Sequence, residues 1–246
     1  MPEKSVNTKK ASKPVSVSIL AVLVLALVTL LASRCFGSRR YYLCSVLMMI
    51  YAMVPFFLSF EKRRPQAREI VTLAVMCAIA VASRAAFIML PHFKPMTGII
   101  MITAISFGPE AGFLTGAISA FVSNFVFGQG PWTPWQMFAY GIAGFLAGIL
   151  AGAGILNGEK RVKTAVFGGL AVLLVVGPIL DACALFLSAA EITKEAAVSI
   201  YLSGLPVNAV HALATFLTVL LLLKPITEKL NRIRIKYGMM EDDDEI

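Results

Sequence analysis

An all-α integral membrane protein is the fold class this sequence predicts, and three observations predict it. Apolar runs long enough to cross a bilayer recur along the chain, and they are continuous instead of alternating. Of the 246 residues, 58% are hydrophobic and 15% charged, with a mean hydropathy of +0.81. Soluble domains lie nearer about 45–50% apolar and about 25% charged, so a wholly soluble protein is excluded. Backbone polar groups in lipid must be satisfied within a helix or around a closed barrel. The missing period-two alternation leaves helices.

The elements follow in order. Crossing about 30 Å of hydrocarbon at about 1.5 Å per residue takes roughly 20 residues. Runs near that length lie at 15–33, 41–60, 69–90, 110–127, 134–153, 164–188 and 204–224. A shorter piece, 97–107, ends at Gly108-Pro109. Proline stops a helix and biases the residue before it away from one, so this piece is a short or broken span.

The basic residues test that count, because positively charged loops stay in the cytoplasm. With the N-terminus inside and the short piece counted as crossing, the cytoplasmic face receives four groups. These are Lys4, Lys9, Lys10, Lys13; Lys62, Arg63, Arg64, Arg68; Lys160, Arg161, Lys163; and Lys224, Lys229, Arg232, Arg234, Lys236. The other face receives only Arg34, Arg39, Arg40, Lys94 and Lys194. If 97–107 did not cross, the segregation would collapse. A bacterial-type plasma membrane protein with both termini cytoplasmic is the expectation.

The net charge of +8 does not point to nucleic acid, because the cations are spread over four membrane-flanking loops. Anionic headgroups explain them. The run Glu241-Asp242-Asp243-Asp244-Glu245 reads as a solvated acidic tail. Lys9, Lys10 and Lys13 before the first apolar run resemble a signal peptide's n-region, but the apolar core is long and Arg34 stands where a small residue should precede Cys35. The first helix is therefore expected to stay in the chain. Together with 41–60 it forms a two-helix extension, giving the organisation 1–14 basic terminus, 15–60 extension, 61–67 charged linker, 68–224 six-helix domain and 225–246 cytoplasmic tail.

Catalytic signals are missing. No P-loop, HExxH or GxSxG occurs, and the four cysteines show no CxxC spacing, so no catalyst, metal or bound cofactor is expected. Work against a gradient would need an outside motor.

What the sequence does carry is a set of polar residues within apolar runs, all in the half of the membrane away from the cytoplasm under this topology. They are Arg84, Asn124, Gln136, Tyr140, Asp181, Asn208 and His211. Polar and ionisable groups at such depth face protein or water and mark solute pathways by default. Each has a plainer alternative: Arg84 and Asp181 could pair with each other, and Asn124, Asn208 and His211 could be interhelical packing groups. Trp132 and Trp135 serve equally as interfacial anchors or as stacking surfaces for a ligand. Thr133 and Pro134 suit a helix entrance, as cap and first helical residue.

Two stripes of small residues stand out as well. Ala74, Ala78 and Ala82 fall on nearly one helix face, as do Gly141, Gly144 and Gly148. The glycines read as internal packing. For the alanines, spacing leaves internal packing and contact with another protein equally open.

From about Arg68 to Lys224 these features together resemble the substrate-binding S component of energy-coupling factor (ECF) vitamin transporters. The resemblance rests on six helices, an AxxxA motif in the first, and the stretch Ile105-Ser106-Phe107-Gly108-Pro109-Glu110-Ala111-Gly112-Phe113 leading to Gly116. The stretch from Phe127 to Ala139, followed by Gly141 and Gly144, is similar to a cobalamin-type subgroup. The resemblance implies a six-helix S-component bundle preceded by two extra transmembrane helices, without enzymatic activity. It implies a transmembrane coupling subunit and two cytoplasmic ATPase subunits as partners, ATP being used by those ATPases only. Ala74, Ala78 and Ala82 would then contact the coupling subunit, and Arg84, Asn124, Trp132, Trp135, Gln136, Tyr140, Asp181, Asn208 and His211 would bind the vitamin. Cobalamin or a related corrinoid is the leading substrate, with riboflavin or another vitamin as alternative. A membrane-embedded enzyme using Asp181, His211 and Arg84, or a structural assembly protein, are the readings from other classes.

Overall fold

A computed structural model of the chain describes Leu25, residues 40–189 and residues 191–238. The expected first span, 15–33, lies outside the described residues apart from Leu25, as do the basic N-terminus and the acidic run. The described residues form seven helices and no strands. They are α1 (Arg40–Lys62), α2 (Ala67–Ala86), α3 (Met96–Phe107), α4 (Pro109–Phe127), α5 (Thr133–Gly152), α6 (Arg161–Ser188) and α7 (Lys194–Tyr237). Six are long and apolar enough to span a bilayer, and α3 is the short exception.

Hydrophobicity all round sends α3 to the middle of the bundle. Every one of its residues except Ile105 is buried. Twelve residues rise only about 18 Å, well short of the hydrocarbon thickness. Gly108, at φ +92°, turns the chain within one residue, and Pro109 opens α4 where its missing N–H costs nothing. Because Ala104 lies against Gly112 across this turn, α3 and α4 are antiparallel. The chain thus reverses direction between α3 and α4.

The most extensive packing joins α4 to α5. A Cβ on Gly112 would come 2.8 Å from the carbonyl oxygen of Gly144, and one on Gly148 would come 2.5 Å from the Cα of Pro109. These backbones touch directly, which only glycine permits. The glycine stripe is therefore an internal seam.

Two helices depart from their expected form. α6 contains a π-type turn at Val172–Val176 just before Gly177-Pro178, where a proline without an N–H meets the helix ladder. α7 was expected as 204–224, but it runs unbroken for 44 residues from Lys194, passing Pro206 and Pro225. Thr193 caps its start by accepting a hydrogen bond from the Ala196 N–H at 3.1 Å, and Gly238 in the left-handed region ends it. Residues 225–237, read from sequence as tail, thus extend the last helix.

Candidate functional site

Polar side chains from five helices converge at one end of the bundle, where α2 and α4 finish and α5 begins. Arg84, near the end of α2, is buried. It donates to the Ser123 hydroxyl at 2.5 Å and to Asn124 Oδ1 at 3.1 Å, with its guanidinium 4.2 Å from the centroid of the Phe127 ring. That combination satisfies a cation by hydrogen bonds and a π face in place of a counter-charge. Asn124 then passes the network on, its amide N–H groups donating to Gln136 Oε1 at 2.8 Å and Thr133 Oγ1 at 3.1 Å. The Thr133 hydroxyl in turn donates to Gln129 Oε1 at 2.9 Å.

Thr133 was expected to cap α5. Its hydroxyl is instead absorbed by this network, while the Gln136 N–H bonds the carbonyl of Trp132. Pro134 does sit in the first turn of the helix.

Because α3 is short, its first turn lies inside the bundle, and there Thr97 Oγ1 and His211 Nε2 of α7 share a hydrogen bond of 2.8 Å. The His211 ring meets Tyr140 edge-on at 5.8 Å. Tyr140 is fully buried and its hydroxyl has no partner among the described residues. The same is true of the Trp135 indole N–H, whose ring stacks on Phe186 at 5.8 Å. A buried polar group without a partner costs free energy, so these two mark where a ligand's polar atoms would be welcome.

Farther along, Asn208 of α7 donates to Asp181 Oδ2 of α6 at 2.8 Å, over Gly204. The alternative in which Arg84 and Asp181 pair does not occur, since each is held by separate amides. The two tryptophans also part ways. Trp135 is 4% exposed, whereas Trp132 is 40% exposed and covers Gly130, its N–H reaching the Gly128 carbonyl at 3.3 Å.

Ser123 is the network member that sequence reasoning missed. A serine in an apolar helix reads as a packing residue, and only its position beside Asn124 on α4 hinted at more.

The alanine stripe lies elsewhere. Ala74, Ala78 and Ala82 are all exposed on α2, flanked by Ile70, Val71, Val75 and Ile79, while Leu73, Met76, Cys77 and Ala80 face the core. Internal packing is therefore not their role among the described residues. A cavity of about 360 Å³ opens at the foot of this helix, lined by Ala67, Arg68, Val71, Thr72, Ile233 and Tyr237. It lies at the opposite end from the polar network.

Fold and site together define a multi-pass membrane protein, an apolar helical bundle with a polar network gathered at one end. The chain belongs to the ECF-type riboflavin transporter S component family, which it matches over residues 65–228. It is thus a substrate-binding component of a vitamin transporter. No curated protein and no solved structure matches it.

Proposed function

We propose that this chain captures a water-soluble vitamin at the outer face of the plasma membrane, with riboflavin as its substrate, and passes it inward when a partner module hydrolyses ATP. The observation that carries the reading is the convergence of Arg84, Asn124, Gln136, Tyr140 and His211 at one end of a mostly apolar bundle. Trp135, Asp181 and Asn208 extend the site, and Trp132 covers its loop. Planar amides and aromatic rings next to unpartnered buried donors suit a flat, acceptor-bearing heteroaromatic ring. The riboflavin named in the family description favours the same substrate. A corrinoid would need a wide cavity, and the backbone contact of α4 with α5 works against one between those helices. The resemblance of residues 127–139 to a cobalamin-type subgroup is what favours that second reading.

The outward alanine face of α2 is where a transmembrane coupling subunit would dock, because small side chains let a second backbone approach. Two cytoplasmic ATPases would supply the energy, and this chain would perform no catalysis. Both termini would lie in the cytoplasm, on the side of the Arg63, Arg68 and Lys224 end.

Purification of the full chain from cells grown with mixed vitamins, followed by mass and absorbance measurements, tests the substrate. A co-purified flavin is expected, and Asn124→Leu, which removes the group joining Arg84 to Gln136, should lose it. A corrin spectrum would replace riboflavin with cobalamin. A preparation that retains no vitamin and binds none when added would overturn the reading.

A further inference from the structure

The family match begins at residue 65, so α1 lies outside it, yet α1 is built into the bundle. Phe56 stacks on Phe113 of α4 with centroids 4.0 Å apart and planes 8° from parallel, and it meets Phe145 of α5 edge-on at 4.9 Å. Phe57 adds a second edge-on contact to Phe113 at 6.1 Å, and Met53 is buried in the same cluster. In lipid no water drives helices together, so packing of this kind and polar ties decide which helices stay associated.

The polar tie is Arg63, immediately after α1. Its guanidinium donates to the carbonyl of Phe107 at 3.0 Å and forms an ion pair with Glu69. Phe107 ends α3, so its carbonyl is among those a helix cannot satisfy internally. Glu69 is in the first turn of α2 and its side chain is only 4% exposed. A carboxylate buried that deeply depends on its partner, because removing one member strands a charge. One side chain therefore binds the end of α1 to the start of α2 and to the α3–α4 turn. Within the charged stretch 61–67, Arg63 thus ties α1 to the helices that follow.

We propose that Arg63 is a positioning residue for transport: it fixes α1 to the vitamin-binding bundle so that the two move as one body, leaving the alanine face of α2 as the side open to a partner. This rests on the S-component reading, and the test is arranged so that the two fail separately. In a full-length chain lacking native cysteines, Phe56→Cys and Phe145→Cys are introduced together and joined, in membranes that contain an energising module, by a bifunctional thiol reagent with a reducible spacer long enough to span two facing phenylalanine side chains. The cross-link should form and leave vitamin uptake unchanged. Uptake that stops on cross-linking and returns with reductant would show that α1 must separate, and would overturn the proposal; so would failure of the reagent to join the two positions.

Arg63→Ala supplies the second arm. Uptake should fall about tenfold while the purified subunit keeps its vitamin affinity, and cross-linking between positions 56 and 145 should slow. Arg63→Lys, which restores the charge opposite Glu69, should recover part of both. Unchanged uptake and unchanged cross-linking in Arg63→Ala would overturn the proposal. If the parent chain takes up no vitamin at all, the S-component reading fails, and the cross-linking rates still decide whether Arg63 fastens α1.

Discussion

Two stripes of small residues run through this molecule at nearly the same spacing and are used in opposite ways. Gly144 and Gly148 of α5 are buried against the backbone of α4, with no room for a single methyl group. Ala74, Ala78 and Ala82 of α2 point outward beside exposed Ile70, Val75 and Ile79. Spacing says which face the small residues share, but not what covers that face. The residue type says more. Glycine weakens a helix by about 1 kcal/mol relative to alanine, so a glycine stripe persists where backbone must meet backbone. Alanine keeps the helix strong and its surface flat, which suits a face that is met by a partner formed elsewhere.

The contrast breaks most violently at the seam. Gly144→Leu would drive four carbons into the carbonyl group of Gly112 and the side chain of Ile100. Overpacking of this kind costs about 3 kcal/mol or more when backbone must shift, and the expected result is loss of folded protein. Size-exclusion profiles and thermal unfolding in detergent measure it. A midpoint equal to the parent's would mean that α4 and α5 are not in contact there.

On the alanine face the expected effect is large but of another kind. Ala78 is exposed among the described residues, so with Ala78→Trp the purified subunit should fold and bind its vitamin as before. Uptake in cells should fall by about tenfold or more, in the range of typical coupling between sites. The ratio of uptake to binding is the quantity that decides. Equal loss of both would place Ala78 in the fold and remove the distinction between the stripes.

These contrasts also mark how far residues alone could be read. Helix positions were legible because a lipid-facing helix must be apolar over a fixed length, and 41–60, 97–107, 110–127 and 134–153 match α1, α3, α4 and α5 within a few residues. The gathering of polar groups at one end was legible from topology. Their partners were not, because a hydrogen bond such as Arg84 to Ser123 joins residues 39 apart and depends on how α2 and α4 are rotated. Nor could hydropathy foresee the full reach of α7, since its ends lie beyond the apolar run and are held by caps and local propensity. Arg63 read as one more positive-inside residue. Its attachment to Phe107 and Glu69 depends on a turn at Gly108 that sequence suggested without fixing its direction.

The smallest expected effect lies where the glycine seam runs out. Gly152 continues the spacing of Gly144 and Gly148, but a Cβ added there meets nothing within 4 Å. If glycine were needed along the whole stripe for its backbone freedom, Gly152→Ala would destabilise the bundle as Gly148→Ala should. If close backbone approach is the reason, only position 148 is sensitive, because there a Cβ would lie 2.5 Å from Pro109. The propensity difference then favours alanine at 152, by at most about 1 kcal/mol and less at a helix end. Paired unfolding measurements should find Gly148→Ala clearly destabilised, and Gly152→Ala equal to the parent or slightly above it. Equal destabilisation of the two would assign the stripe to backbone conformation and dissolve its contrast with the alanines of α2.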